Sequence, residues 1–143
     1  DQQPTARKFL IAAHGAFATG IKSSLDMIIG ETDNAFLIQA YLHESRPVED
    51  ELADVLENLK ADEELVMFTD LLGGSVNNVM LRNALRENVH IVSGFNLPLL
   101  IEIILADTDT PIIEVLESAI TNAKEQMVYV NKLITTNNNQ DND

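Results

Sequence analysis

Two residues with the chemistry for group transfer stand at the ends of apolar runs that read as buried strands. His14 ends the run FLIAAH, and Asp70 ends the run LVMFTD. A histidine can be a nucleophile, a general base, a ligand or a packed core residue. A carboxylate that accepts a hydrogen bond from one ring nitrogen fixes the tautomer and leaves the other nitrogen's lone pair free to attack. The two residues therefore indicate a nucleophilic histidine, provided that the fold brings them together.

The residues that follow Asp70 form a candidate anion site. Gly73, Gly74 and Ser75 stand between the apolar run and a helix-compatible segment. Glycines let the backbone turn and approach a ligand closely, and a helix start presents free N–H groups with a dipole that favours an anion. GGS alone would more often be an ordinary strand-to-helix turn. Together with a histidine and an orienting acid, however, it suits phosphoryl transfer onto histidine.

The apolar pattern around these motifs predicts strands that alternate with helices. Strands are expected at 7–13, 35–42, 64–70 and 89–94, with helices at 18–29, after Pro47, at 75–87, at 96–107 and from Thr110. Asn96 is the expected cap of the helix over 96–107. This alternation predicts an α/β fold, with an open, doubly wound, mainly parallel sheet. Because crossovers are right-handed, all strand-to-helix turns lie at one edge of the sheet, where ligands bind. If strands one and three are neighbours, as in the order 2-1-3-4, His14 and Asp70 meet at that edge.

Composition narrows the functional classes. A chain of 143 residues with 45% hydrophobic residues is typical of one domain with its own core. The net charge of −14 argues against nucleic acid and anionic membrane surfaces, and it suits a basic protein partner, although the acids could simply maintain solubility. There is no cysteine, which excludes disulfides and thiolate chemistry. With no visible secretory signal or membrane-spanning run, we expect a cytoplasmic protein.

Other catalytic motifs do not match the amino-acid sequence. A serine hydrolase elbow needs Gly-x-Ser-x-Gly, and residues 73–77 end in asparagine instead. The Gly-Lys-Ser/Thr of a P-loop is absent, and a receiver domain would have acids where this chain has His14 and Gly15. His43 and His90 lack the spacing of zinc ligands, so both are interpreted as structural or surface residues. We expect neither a metal nor a cofactor.

The motifs, taken together, resemble a known family. AAHGAFATG and FTDLLGGSVNN, in this order and spacing, are similar to the IIA domain of the mannose/fructose/sorbose class of the bacterial phosphoenolpyruvate-dependent sugar phosphotransferase system. SGFNLPLLIEIIL also resembles the family's stretch after its fourth strand. The resemblance covers about residues 7–133, which we expect to be the IIA domain, with flexible termini at 1–6 and 137–143.

This resemblance implies a phosphoryl relay. His14 matches the histidine that accepts a phosphoryl group from the phosphocarrier protein HPr and passes it to a IIB domain for sugar uptake. Asp70 matches the acid that contacts this histidine. Ser75, with the backbone of Leu71, Leu72, Gly73 and Gly74, matches the loop that lines the phosphoryl site. Contact with the membrane would be only indirect, through the IIC/IID transporter.

The resemblance also implies a homodimer in which the C-terminal strand crosses to the partner's sheet. MVYVNKL (127–133) would be that strand, added antiparallel at the sheet edge, although the same residues could instead extend the last helix. Two other functions stay open. The phosphotransfer subunit of a dihydroxyacetone kinase system has a similar fold and histidine, but its loop lacks the double glycine. A regulatory module could use the same loop to bind an anion or a partner without turnover.

Overall fold

The computed structural model describes residues 6–42, 46–83 and 86–141. The strands within these ranges are β1 (Ala6–His14), β2 (Ala35–Ala40), β3 (Glu63–Thr69) and β4 (Val89–Ser93). All neighbouring strands pair in parallel, in the order β2-β1-β3-β4. The predicted parallel sheet and its order are therefore confirmed.

Among the described residues, the first five helices begin close to the predicted positions, whereas the sixth was not predicted. The helices are α1 (Phe17–Ile29), α2 (Val48–Glu57), α3 (Ser75–Asn83), α4 (Leu97–Leu105), α5 (Ile112–Glu125) and α6 (Val130–Asp141). Gly30 follows α1 with a φ of 87°, a conformation that glycine adopts without strain. The side chain of Asn96 accepts a hydrogen bond from the backbone N–H of Leu99 at 3.0 Å and so caps α4, as the sequence predicts.

Helices cover both faces of the sheet because the strands are apolar on both sides. Odd-numbered residues of β1, such as Phe9 and Ile11, pack in the cluster that includes α1, α4 and α5. Even-numbered residues, such as Leu10, pack in the cluster that includes α2 and α3. The burial of β1 and β3 on both faces fixes their register, since a shift by one residue would exchange the two faces. The rigid centre of the sheet thus carries the carboxyl ends of β1 and β3.

The buried side chain of Arg7 links the loop before α5 to the start of β1, at the edge of the sheet opposite the carboxyl ends of the strands. Arg7 is 4% exposed. Its Nε donates to Glu64 Oε1 at 3.0 Å, and its terminal nitrogens donate to the carbonyl oxygens of Asp107 and Thr110. A buried guanidinium of this kind satisfies a carboxylate and two backbone carbonyls together. The ion pair thus stabilises the fold away from His14.

We expect Arg7→Ala to lower the free energy of unfolding by about 3 kcal/mol, because it leaves the partly buried Glu64 carboxylate and two carbonyls without their donor. Urea unfolding followed by circular dichroism measures this change. Arg46→Ala is the matched control, since Arg46 pairs with Asp54 on the exposed surface and its loss should not be measurable. Equal stability of the two variants would contradict a structural role for the buried pair.

The C-terminal segment differs from the prediction in secondary structure. In the single chain, residues 127–129 have no regular structure and α6 begins at Val130, so the strand expected over 127–133 is not seen in this state, and its exchange with a partner subunit stays a prediction. Strand propensity reflects packing against a neighbouring strand, and here the segment has no such neighbour. Helix α6 also includes residues 137–141 of the tail expected to be flexible; that flexibility stays a prediction. Within the described ranges, no helix has the length and apolarity to cross a bilayer.

Candidate functional site

The fold brings the predicted nucleophile and its acid together at the carboxyl edge of the sheet. His14 is the last residue of β1, and Asp70 directly follows β3, which pairs with β1. Asp70 Oδ2 accepts two hydrogen bonds from His14, one from the backbone N–H at 2.9 Å and one from Nδ1 at 2.8 Å. One carboxylate oxygen therefore fixes both the end of the strand and the orientation of the ring.

These contacts define the tautomer of the ring. Because the carboxylate oxygen accepts from Nδ1, the proton of a neutral ring lies on Nδ1 and the lone pair lies on Nε2. Ser75 Oγ is 3.3 Å from Nε2, and the side chain of His14 is 39% exposed. The nitrogen with the lone pair therefore belongs to a partly exposed side chain and has the Ser75 hydroxyl beside it.

The electrostatics of Asp70 favour its charged form. Burial raises the pKa of this carboxyl, whose side chain is 10% exposed. The hydrogen bonds from the backbone N–H and ring of His14, the charge of that ring and the N–H of Asp70 itself outweigh burial, so the net pKa is lowered. The second oxygen, Oδ1, is buried and accepts no hydrogen bond from the described residues. Asp70 thus stays ionised next to His14 at neutral pH.

The loop after Asp70 requires its two glycines for different reasons. Gly73 has a φ of 78°, in the left-handed region that favours glycine. A Cβ at Gly74 would lie 3.2 Å from Leu71 Cβ and 3.7 Å from His14 Cε1. The side chains of Leu71 and Leu72 are 60% and 85% exposed. The leucine side chains are thus largely in solvent, and a contribution of the backbone of residues 71–74 to the phosphoryl site stays a prediction.

A buried hydrogen bond, not predicted from the sequence, holds the start of α3 against β3. Thr69 Oγ1 donates to Asn77 Oδ1 at 2.8 Å, and both residues are buried. Asn78 Nδ2 donates to the carbonyl oxygen of Gly73 at 3.3 Å, which links the helix to the glycine turn. Ser75 is the first residue of α3, so these contacts set its position relative to Asp70.

Sequence reasoning missed Tyr41 as a site residue. Its hydroxyl donates to Ser75 Oγ at 2.8 Å, and its ring centre lies 5.4 Å from that of His14. The signal was available, because Tyr41 is the residue after β2 and the predicted sheet order places β2 beside β1. Ala40 is the register partner of His14.

His90 does not join the site. His90 Nε2 lies 3.7 Å from Glu64 Oε2, near the start of β3, and His43 lies outside the described residues. In the part of the chain that the structure describes, no three histidine, aspartate or glutamate side chains are grouped to hold a metal ion.

Comparisons of sequence and of structure relate this chain to the same group of known proteins. Residues 8–120 match the family model EIIA-man, described as PTS system fructose IIA component. The fructose-specific EIIA component of Bacillus subtilis is 26% identical over 97 residues, which are 66% of each chain. A candidate sugar phosphotransferase permease of Klebsiella pneumoniae superimposes with a TM-score of 0.86 at 32% identity, over 94% of this chain and 98% of that one.

A second solved structure is the IIA protein associated with the fucose utilization operon of Streptococcus pneumoniae. It superimposes with a TM-score of 0.77 at 30% identity, over 93% of this chain and 99% of that one. The family match covers His14, Asp70 and the loop to Ser75. The chain therefore belongs to the mannose/fructose IIA family of the bacterial sugar phosphotransferase system.

Proposed function

We propose that this protein is a phosphoryl relay in which Nε2 of His14 accepts a phosphoryl group from phospho-HPr and passes it to a IIB domain. The observation that carries the proposal is the 2.8 Å hydrogen bond between His14 Nδ1 and Asp70 Oδ2. It leaves the lone pair on Nε2, and the side chain of His14 is 39% exposed. Family membership supports the same chemistry. The proposal includes a cytoplasmic location and the role of a phosphotransferase component.

The transfer step follows from the charges around the ring. The lone pair of Nε2 attacks phosphorus in line, the bond from phosphorus to the donor breaks, and its electron pair stays on the donor. The ring keeps its proton on Nδ1 and gains positive charge. The ionised Asp70 beside Nδ1 stabilises that charge, and it does so without having to reorganise because it is already bound to the ring. The onward transfer to IIB is the reverse reaction with another acceptor.

The start of α3 is the proposed cradle for the phosphoryl oxygens. N–H groups in the first turn of a helix have no acceptor within the helix, and the dipole there favours an anion. Ser75 adds a hydroxyl 3.3 Å from Nε2. The N–H of Gly74 already donates to the carbonyl oxygen of Leu71 at 3.1 Å. The cradle is thus formed chiefly by Ser75 and the N–H groups that follow it.

Exposed apolar side chains at the start of α1 and in the loop after β3 suit protein partners. Phe17 is 50% exposed and Leu72 is 85% exposed. Large apolar side chains can contribute much of the binding energy of a protein interface. A chain with a net charge of −14 would also attract a basic partner by electrostatic steering.

The direct test is phosphorylation of the purified protein. It is incubated with enzyme I, HPr and labelled phosphoenolpyruvate, followed by a IIB acceptor. We expect a label that is acid-labile and alkali-stable, as a phosphoramidate is, and that moves to IIB. Absence of label would contradict the relay. A stable label that no IIB protein accepts would favour the regulatory module instead.

We also propose a homodimer through the C-terminal segment. Met127 and Tyr129 are 81% and 71% exposed in the single chain, which is unusual for large apolar side chains in one segment. Beside β4 an open groove of about 400 Å³ is lined by Ile91, Ser93 and Met127, among others. The strand of a second subunit, added antiparallel along β4, would cover this edge and bury the exposed residues.

Truncation tests this assembly. A chain that ends at Glu125 should sediment as a monomer or aggregate, whereas a chain that ends at Thr136 should behave as the full-length protein. Analytical ultracentrifugation measures both. A well-behaved dimer from the shorter chain would rule out the exchange of this segment.

A further inference from the structure

The backbone of Tyr41 has an unusual conformation. Its φ is 66°, and among the described residues it is the one non-glycine with a positive φ. A bulky side chain is rarely found there, because its Cβ crowds the backbone. The residue is 62% exposed, so burial of the side chain does not compensate for the strain. Strain of this kind persists where the surroundings hold it and is common at functional sites.

Tyr41 contacts the ring of His14 and also Ser75, which lies beside that ring. The O–H of Tyr41 donates to Ser75 Oγ at 2.8 Å. Its ring is tilted by 35° against that of His14, with the centres 5.4 Å apart. The end of β2 is itself fixed next to His14, because the N–H of Gly15 donates to the carbonyl oxygen of Ala40 at 2.8 Å. The unusual backbone thus directs the side chain over the reacting ring.

We propose that Tyr41 is a positioning residue for phosphoryl transfer and that it acts through the hydroxyl of Ser75; this inference rests on the relay function proposed above. Ser75 has one hydrogen to donate. Because Tyr41 donates to Ser75 Oγ, that hydrogen points away from the phenol and towards Nε2, 3.3 Å distant.

The arrangement prepares Ser75 for the incoming group. When the bond from Nε2 to phosphorus forms and the bond to the donor breaks, the Ser75 hydrogen turns from Nε2 to a phosphoryl oxygen. No proton leaves Ser75 or Tyr41 in this step. The hydrogen bond from Tyr41 polarises the serine hydroxyl, which makes it a stronger donor to the anion, and it limits the rotation of that hydroxyl. Both effects are larger with the phosphoryl group present than without it, so they accelerate transfer.

Tyr41→Phe removes the hydroxyl and keeps the ring. We expect the single-turnover rate of transfer from phospho-HPr to fall by about three- to tenfold, the factor that corresponds to one net hydrogen bond. Ser118→Ala is the matched control, since it also removes a hydroxyl, from an exposed position on α5 outside the site. It should transfer at the wild-type rate.

A double-mutant cycle distinguishes action through Ser75 from a general structural effect. In a Ser75→Ala background, Tyr41→Phe should cause no further loss of rate, because the hydroxyl that it orients is gone. A wild-type rate in Tyr41→Phe, or losses that multiply fully in the double variant, would overturn the proposal for Tyr41 while leaving the relay intact. Absence of phosphorylation in the wild-type protein would instead contradict the relay itself.

Discussion

His14→Ala is expected to abolish phosphorylation by phospho-HPr, with a fall in rate on the order of 10⁴ or more. The attacking lone pair belongs to Nε2, and alanine offers no atom in its place. Asp70 and Ser75 would remain in position, but neither is oriented to attack phosphorus in line. The measurement is incorporation of label from phosphoenolpyruvate through the general enzymes, with the protein present in excess over HPr.

The matched control is His90→Ala, because His90 lies near Glu64 and away from the glycine loop. It should retain the full label. The His14→Ala chain should also keep its fold, since the His14 side chain is 39% exposed and contributes little to the core. Label in the His14→Ala protein, or its loss in the His90→Ala protein, would show that the phosphoryl group is carried elsewhere.

Asp70→Asn is expected to slow transfer by about 10²-fold while the fold persists. The amide has the shape of the carboxylate but no charge to stabilise the positive ring that forms. It can also turn its NH₂ group towards Nδ1, which would favour the tautomer with the proton on Nε2 and so occupy the attacking lone pair. Stopped-flow or quench-flow transfer rates measure this, and an unchanged rate would show that Asp70 only packs.

The pH dependence of stability provides a second measurement on the same variant. The pKa of Asp70 is lowered in the folded protein, since the hydrogen bonds and charge of His14 outweigh burial. Its contribution to stability is therefore complete above the ordinary aspartate pKa and is lost as the pH falls through the lowered value. The difference in unfolding free energy between wild type and Asp70→Asn should be flat near neutral pH and shrink in acid. A difference that grows as the pH falls would contradict the lowered pKa of Asp70 in the folded protein.

The sheet order and the meeting of His14 with Asp70 were predictable because both follow from strong local patterns. Apolar runs that end in Gly, Asp or Ser mark strands, and right-handed crossovers put their ends at one edge. Asn96 was likewise readable as a cap. The place of Tyr41 beside β1 follows from the sheet order, but its role could not be predicted, because a positive φ and a hydrogen bond to the start of α3 leave no periodic signal. The C-terminal strand stays a prediction, because β-branched and aromatic residues form a strand only beside a neighbouring strand, and in the single chain none of the described strands pairs with this segment.

The solvent exposure of His14 affects how long a phosphoryl group would stay on the protein. A ring with two-fifths of its side chain in solvent cannot shield a phosphoryl group from water. In the proposed relay, two different proteins must reach the same nitrogen in turn, so an open ring favours exchange over storage. The intrinsic slowness of phosphoramidate hydrolysis at neutral pH would then set how long the group survives. Turnover would be governed by how often an acceptor arrives, and the phosphorylated fraction would report the balance between donor and acceptor in the cell.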